Sequence, residues 1–461
     1  MRDRPCWVSL AAILALVLSF AAMPALGKAR EYQVTDYGAK GDGVTLDTAA
    51  IQKAIDAAAA HQGTVVFRPG TYLTGAIFLK SGTNLRVDEG VTLLGAQKLS
   101  DYPIMPTRVA GIDMQWPAAL INVYEQSGVT ISGKGIVDGD GKVWWDSYWA
   151  LRRDYDKRGL RWAADYDAKR PRLIQIYKAS NVNLEGLTLK RSGFWTVHIC
   201  YSNHVKVDGI TIRNNEGGRG PSTDGIDIDS SAHVLVQHAD IEDNDDAICL
   251  KSGRDSDGLR VNRPTEHVVV RDSTIRAGAA AITIGSETSG GFRDIDVYRL
   301  RALGHVPAGI LFKSARTRGG WADGIRIHDL VLENVATPIA INMNWNPSYS
   351  YAKLPAGLTD IPSYWKVLTT PVPPEKGLPH FRNVSIWNIR ATGAKRAFAV
   401  SAYPNAPLVD FHFKNIDISA KTAGSIADAK NWSFSNVHIK TADGSHVTVK
   451  DSENVTGLSK Q

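Results

Sequence analysis

The sequence predicts an all-β protein, folded as a right-handed parallel β-helix with an N-terminal capping helix. Short segments of alternating apolar and polar residues recur along the chain, and the turns between them are rich in Asn, Gly, Asp and Ser. Alternation with a period of two indicates strands rather than helices. Strands this short can pair with the equivalent strand one coil away, which builds a solenoid. We expect no connecting helix of useful length between the coils.

The repeat is clearest over nine segments between residues 182 and 434. Their first residues are 21–34 residues apart, except for one gap of 59 residues, and most of these spacings suit one coil of a solenoid. The segments begin at Val182, Val205, Val234, Val268, Ile295, Ile325, Val384, Phe411 and Trp432. A β-sandwich also contains many short strands, but its hairpins would need two-residue turn signals such as Asn-Gly. The pattern therefore favours the β-helix.

Residues 47–60 predict a helix that covers the open N-terminal end of the solenoid. Asp47 or Thr45 is the expected N-cap residue. The apolar face of this helix is predicted from Ile51, Ala54 and Ile55.

Two long segments, residues 140–172 and 344–380, interrupt the repeat and are called here the first and second excursions. Long excursions from a rigid scaffold often carry binding function. The first contains four tryptophans, Trp144, Trp145, Trp149 and Trp162. Each of these rings either stacks on a sugar or packs the segment onto the scaffold.

Residues 1–27 have the layout of a secretory signal peptide: a basic start, an apolar run from Val8 to Ala22 and small residues before Lys28. A membrane anchor is the alternative, but the run of about 15 residues is shorter than the ~20 that a spanning helix needs. We therefore expect residues 28–461 to form one domain, monomeric, without a membrane span, and either secreted or periplasmic.

The formal net charge of +6 suits an anionic partner such as an acidic polysaccharide, although a solvated basic surface without a partner is the alternative. No run of Lys and Arg interleaved with aromatic residues suggests a nucleic-acid partner. After removal of the signal peptide the cysteines are Cys200 and Cys249. The repeat alignment places them two coils, about 10 Å, apart, which is too far for a disulfide, so we predict two free thiols.

The densest acidic region lies in two adjacent coils, STDGIDID at 222–229 and NDDAICLK at 244–251. Aligning their apolar residues puts Asp246 directly above Asp224, on strands about 4.8 Å apart, with Asp245 beside them. Carboxylates this close repel, so one of them can keep its proton near neutral pH. A protonated carboxyl beside an ionised one is what glycoside hydrolysis requires, whereas a calcium site or turn capping is the structural alternative.

These residues resemble the polygalacturonases, family 28 of the glycoside hydrolases. The family's Thr-Asp-Gly motif is matched at 223–225 and its Asp-Asp pair at Asp245 and Asp246, while VTDYGAKGDG at 34–43 is shared widely among pectin-active β-helices. The resemblance implies a pectin-lyase-like solenoid that hydrolyses pectin, an acidic plant cell-wall polysaccharide, with inversion and with no metal or cofactor. It implies that Asp245 is the general acid and that Asp224 and Asp246 hold and activate the water. Inversion needs roughly 6.5–9.5 Å between acid and base.

The chain departs from the family pattern at two positions. Ala279 stands where the family usually has a histidine, and Leu311 where it has an arginine, while the following lysine is kept as Lys313. In the family these basic residues serve the acidic sugar on the leaving-group side. The changes therefore suit a neutral sugar such as rhamnose there, as in a rhamnogalacturonan-hydrolase-like branch, unless Arg316 or Arg318 supplies the missing charge.

Trp345 is a further candidate for substrate binding, together with Lys313, because family members often have an aromatic residue at the cleft after this lysine. Packing under the second excursion is the alternative for this ring. Two other functions remain open, a calcium-dependent pectate lyase and a non-catalytic polysaccharide-binding β-helix. The sequence does not decide between endo and exo action.

Overall fold

The computed structural model describes residues 30–458 except 305 and 359, so the predicted signal peptide lies outside the described residues. Thirty-one strands are joined by parallel pairing, and they confirm the predicted right-handed parallel β-helix. Each coil contributes strands to three faces. One antiparallel hairpin, Ile104–Val109 with Ile112–Pro117, projects from the solenoid.

The strands of the first face, which carries the candidate site, are Ile77–Leu79, Ile121–Tyr124, Ile174–Tyr177, Val197–Cys200, Ile226–Asp229, Ile248–Lys251, Ala280–Ile284, Ala308–Lys313, Thr337–Asn342 and Thr448–Lys450. Those of the second face are Glu31–Gln33, Thr64–Val66, Asn84–Arg86, Ser127–Ser132, Ser180–Glu185, Asn203–Asp208, Ala232–Gln237 and Glu453–Thr456. Those of the third face are Asp42–Leu46, Gly70–Thr74, Val91–Gly95, Ile136–Asp138, Thr188–Lys190, Thr211–Arg213 and Asp240–Glu242. Longer strands turn the corners between faces: Thr265–Ala277, Phe292–Leu303, Trp321–Glu333, His380–Ser401, Leu408–Ala427 and Ala429–Thr441.

The pairing register confirms the coil period read from the sequence. Val182 pairs with Val205, which pairs with Val234, and the same column continues to Phe411. The pairing of His412 with Ser433 places Trp432 next in the column. The inward residues of successive coils stack into one buried core, which gives the solenoid its main apolar stabilisation.

Seven α-helices accompany the strands in the described part of the chain. They are α1 Thr48–Ala59, α2 Lys142–Lys157, α3 Ala164–Asp167, α4 Asp255–Val261, α5 Pro347–Ser350, α6 Ser363–Leu368 and α7 Pro374–Gly377. None of the described helices is long and apolar enough to cross a membrane.

Helix α1 buries the predicted face, Ile51, Ala54 and Ile55, against the first coils. Asp47 is the N-cap residue, one of the two predicted, but its side chain makes no capping hydrogen bond. The carboxylate of Asp47 instead accepts hydrogen bonds from the backbone N–H groups of Lys40 (2.7 Å) and Gly41 (2.9 Å). Asp47 therefore fixes the preceding loop rather than the helix end.

The expectation that no useful helix connects the coils is also wrong. Helix α2 has 16 residues and lies in the first excursion, and the seven-residue α4 follows a first-face strand. Trp144, Trp145 and Tyr148 form the buried side of α2. Trp145 and Tyr148 follow Trp144 by one and four residues, which places all three on one side of a helix. The many charged residues between and around them made this pattern hard to recognise in the sequence.

Both cysteines of the described chain are free, as predicted, and both are buried. Cys200 pairs in register with Asp229, and Cys249 with Asp227, so the predicted columns are correct.

Candidate active site

The three predicted aspartates lie just before two neighbouring strands of the first face. The backbone N–H of Gly225 donates to the carbonyl oxygen of Asp246 at 3.0 Å, so the parallel ladder extends to this coil edge. One oxygen from each of Asp224, Asp245 and Asp246 lies within 4.8 Å of the other two. The alignment of two eight-residue segments therefore predicted this cluster correctly.

Asp246 is held by two donors. Lys313 donates from Nζ to its Oδ2 at 2.6 Å, and the hydroxyl of Thr283 donates to its Oδ1 at 2.9 Å. Although burial alone would lower the pKa of the Lys313 ammonium, the carboxylates of Asp246 and Asp245 raise it above its usual value. Asp246 is thus an oriented carboxylate with a permanent positive partner.

Asp245 has different surroundings. Its Oδ1 accepts a hydrogen bond from the backbone N–H of Asp246 at 3.0 Å. Burial, followed by the negative charges of Asp224 and Asp246, raises the pKa of Asp245 to about 8. This carboxyl therefore holds a proton more strongly than an ordinary aspartic acid, as a general acid must.

A second ammonium, Lys251, lies beneath the cluster. Its Nζ is 3.4 Å from Oδ2 of Asp224, 3.3 Å from Oδ1 of Asp227 and 3.5 Å from Oε2 of Glu287. Burial raises the pKa of Asp227 to about 7, and burial together with Asp227 raises the pKa of Asp224 well above its usual range. Lys251 thus offsets part of the repulsion among these carboxyl groups.

Lys251 and Glu287 were not predicted as site residues, although Lys251 lies in the acidic segment 244–251 singled out from the sequence. Lys251 pairs in register with Asp229, so it lies in the same column one coil further on. This alignment was the sequence signal that could have placed Lys251 near the acidic residues. Glu287 is fixed from another direction, because the hydroxyl of Tyr349 in the second excursion donates to its Oε1 at 3.1 Å. Burial opposes ionisation of Glu287, but Lys251 and Arg318 lower its pKa to about 2.

Two cavities meet at the aspartates. The first cavity, of about 170 Å³, is lined by residues of the hairpin and of both excursions. Its lining includes Ala110, Arg161, Asp165, Trp195, Ser222, Glu287, Asn346 and Tyr349. This volume is below the roughly 300–1,000 Å³ of pockets for drug-sized ligands, so the first cavity suits a single small ring.

The second cavity, of about 600 Å³, extends from Asp245 and Asp246 toward the C-terminal coils. The two predicted substrate-binding residues line both cavities, with Lys313 Nζ 4.8 Å from the ring centroid of Trp345. Trp345 is only partly buried, so packing does not use its whole surface.

The two departures from the family pattern, Ala279 and Leu311, both line the second cavity. Neither Arg316 nor Arg318 is among the lining residues of the two cavities. The guanidinium of Arg318 is fully buried and paired with Asp255, while Arg316 is exposed and lies over the ring of Tyr351. The alternative that one of them replaces the missing charge is therefore not supported by their positions.

The tryptophans of the first excursion pack rather than face either cavity. Trp144, Trp145 and Trp162 are 7%, 2% and 1% exposed. Trp149 is partly exposed and donates from its indole nitrogen to the carbonyl oxygen of Arg219 at 2.8 Å. Three of the four rings are thus scaffold residues.

The carboxyl spacing is shorter than the 6.5–9.5 Å expected for inversion. A water molecule can, however, bridge two oxygens up to about 5.4 Å apart with hydrogen bonds of about 2.7 Å. The close approach of Asp224 and Asp246 is therefore compatible with a water held between them. The positive charge beside the cluster comes from the ammonium groups of Lys313 and Lys251. They offset the negative charge of the carboxylates, which a calcium ion would otherwise have to neutralise.

A parallel β-helix in which two neighbouring aspartates have opposite electrostatic surroundings, at the meeting point of two cavities, is suited to acid–base chemistry. The sequence model of "Glycosyl hydrolases family 28" matches residues 60–361. The chain belongs to this family, which confirms the predicted glycosidase class.

The chain is similar to a probable polygalacturonase from Vitis vinifera, with 30% identity over 67% of this chain and 62% of that protein. It is 26% identical to an exo-poly-alpha-D-galacturonosidase from Dickeya chrysanthemi, over 90% of this chain and 74% of that protein. Among solved structures it resembles a hyperthermoactive exopolygalacturonase from Thermotoga maritima, with a TM-score of 0.70 and 26% identity over 91% of this chain and 92% of that one.

Proposed function

We propose that this protein hydrolyses α-galacturonosyl linkages of pectin and removes the galacturonosyl residue at the non-reducing end of the chain. The observation that carries the proposal is the first cavity, which is small and is lined, beside the three aspartates, by residues of the hairpin and of both excursions. Such a cavity admits one terminal sugar and stops a polymer from passing through. The relatives from Dickeya and Thermotoga are named as exo-acting enzymes, which supports the same mode.

The wall of the first cavity is held by hydrogen bonds between distant segments. The hydroxyl of Tyr166 donates to the carbonyl oxygen of Ala110 in the hairpin at 2.8 Å. The fully buried guanidinium of Arg254 donates to the Tyr166 hydroxyl at 2.9 Å and to the carbonyl oxygen of Tyr349 at 2.8 Å. Arg254 therefore joins the first excursion to the second, so the wall is part of the scaffold rather than a loose loop.

In the proposed reaction, the Asp245 carboxyl gives its proton to the glycosidic oxygen as the bond from that oxygen to the anomeric carbon breaks. A water molecule between Asp224 and Asp246 attacks the anomeric carbon from the opposite face. Asp246 takes a proton from this water. Before this step its carboxylate is held in place by the ammonium of Lys313. The product is a free galacturonate of inverted configuration and a polymer shortened by one residue.

The leaving part of the substrate would lie in the second cavity. Family resemblance assigns Ala279, Leu311 and Lys313 to the leaving-group side, and two of these three side chains are apolar. An apolar wall favours a neutral sugar over a carboxylate there, so a galacturonosyl–rhamnose bond of rhamnogalacturonan is the preferred target, with plain polygalacturonan as the second candidate.

The experiment is a time course on polygalacturonan and on rhamnogalacturonan oligosaccharides, with products identified by mass spectrometry and the anomer by NMR. We expect monomeric galacturonate from the first time points, released as the β-anomer, and faster from the galacturonosyl–rhamnose bond. An early mixture of oligomers would contradict exo action, and good activity on polygalacturonan alone would exclude the rhamnogalacturonan target. An Asp245→Asn preparation controls for contaminating activity.

The competing lyase is tested in the same assay. A calcium-dependent lyase would form unsaturated products that absorb ultraviolet light, and a chelator would abolish this. We expect neither effect, because ammonium groups rather than a metal ion neutralise the carboxyl cluster. A polysaccharide-binding protein without activity would release no sugar at all.

We also propose that the enzyme acts outside the cytoplasm after cleavage of residues 1–27, and that it is monomeric.

A further inference from the structure

The floor of the second cavity changes character along its length. Near the aspartates it is an apolar cluster of Ala280, Ala308 and Leu311, with Ala340 packed against it. Among the described residues that line this part, Lys313 carries the ammonium, and it is already engaged by Asp246 at 2.6 Å. A sugar placed here therefore meets methyl groups rather than a free cation.

A second cation, Arg396, lines the same cavity at its far end. The register of the first face gives its position. Asp246 bridges to Ala280, Ala280 pairs with Ala308, and Ala308 pairs with Thr337.

The pairing of Ile339 with Phe398 places Arg396 opposite Thr337 in the next coil. The Cα of Arg396 is thus four strand spacings, about 19 Å, from the Cα of Asp246 along the solenoid axis. Its side chain is exposed, and Ser401 and Ser425 line the cavity beside it. A guanidinium binds a carboxylate through two parallel hydrogen bonds, which makes arginine suited to a uronic acid.

We propose that Arg396 binds the carboxylate of an acidic sugar that lies beyond a neutral sugar on the leaving-group side. The inference rests on the proposed function, because it assumes that the shortened polymer lies in the second cavity. The apolar floor and the distant cation together select a chain in which galacturonosyl and neutral sugars alternate. Arg396 then determines specificity without contacting the reacting atoms.

The test compares two substrates that end in the same galacturonosyl–rhamnose bond. The disaccharide stops at the neutral sugar, whereas the tetrasaccharide carries a second galacturonosyl residue beyond it. For Arg396→Ala we expect KM for the tetrasaccharide to rise about tenfold or more with kcat retained, and no change for the disaccharide. For Arg396→Lys we expect a KM for the tetrasaccharide between those of the wild type and of Arg396→Ala, because lysine keeps the charge but not the paired hydrogen bonds. Arg390→Ala, an exposed arginine on the same strand, is the matched control.

An equal effect of Arg396→Ala on both substrates, or none on either, would overturn the assignment. A wild-type enzyme that cleaves homogalacturonan oligosaccharides faster than alternating ones would overturn the selection of an alternating chain. A wild-type enzyme that releases galacturonate from no substrate would instead refute the proposed function itself, so the two failures are distinguishable.

Discussion

Asp245 and Asp246 are neighbours in the chain, yet their side chains have opposite surroundings. Asp246 receives an ammonium and a hydroxyl, at 2.6 and 2.9 Å. Asp245 is surrounded by carboxyl groups, and its pKa is raised to about 8. A pair with such different environments can act as acid and base at one pH, which is the arrangement that hydrolysis of a glycoside needs.

Replacing the proposed acid tests this assignment directly. For Asp245→Asn we expect kcat to fall about 10²- to 10⁴-fold with little change in KM, because the amide cannot protonate the leaving oxygen. Steady-state kinetics on oligosaccharides measure the effect. Asp451→Asn is the control, since Asp451 lies in an exposed turn at φ +46°, a conformation that asparagine tolerates. Full activity of Asp245→Asn would remove this residue from the mechanism.

The basic limb of the pH profile of kcat/KM should reflect the raised pKa of Asp245. The acid must be protonated to act, so on the basic side kcat/KM is expected to hold up to about pH 8 and to fall tenfold per pH unit above it. A basic limb near the ordinary aspartate value of about 4 would contradict the raised pKa in the free enzyme.

At the scale of elements, the excursions decide the shape of the site more than the coils do. The hairpin, the first excursion and the second excursion pack into a cluster of their own, in which Trp162 and Trp365 meet edge to face at 4.9 Å. Ala110, Phe194 and Trp195 of this cluster line the first cavity. The coils supply the carboxyl column, whereas the excursions determine how much substrate can pass it.

Helix α1 offers a second test at this scale. Asp47→Ala removes both hydrogen bonds that the backbone of the preceding loop donates to the buried Asp47 carboxylate. We expect a loss of about 1–3 kcal/mol in the free energy of unfolding, measured by urea denaturation. The control is Asp56→Ala on the same helix, whose partner Lys80 is half exposed, with an expected loss below about 1 kcal/mol. Equal losses would show that Asp47 has no special role.

At the scale of the whole molecule, the parallel ladder continues from Glu31 to Thr456. Each outward side chain therefore has neighbours fixed by the chain one coil before and one coil after. The same ladder separates the two cysteines, which lie in different columns and on coils that are not adjacent.

Thiol titration tests this register. In the denatured protein without reductant we expect Cys200 and Cys249 both to react, and Cys6 as a third if residues 1–27 are retained. In the native protein both should react slowly, because burial raises the pKa of each thiol well above its usual value. A gain of thiols on adding reductant would reveal a disulfide and contradict the register.

The sequence alone determined the coil period, the columns of the second face and the stacking of Asp246 over Asp224. These could be read because an in-register parallel ladder converts a fixed offset in the chain into a contact of about 4.8 Å. The tertiary structure alone decided what surrounds that stack. Lys313 reaches Asp246 from 67 residues away, and Tyr349 reaches Glu287 from 62.

Helix α2, the wall joined by Arg254 and the position of Arg396 were likewise beyond the sequence pattern. They depend on how irregular segments pack and on the number of coils between two residues, and no repeat encodes either. The aspartates thus identify the chemistry from the sequence, while the small first cavity and the apolar floor of the second, both built from distant segments, determine the proposed substrate.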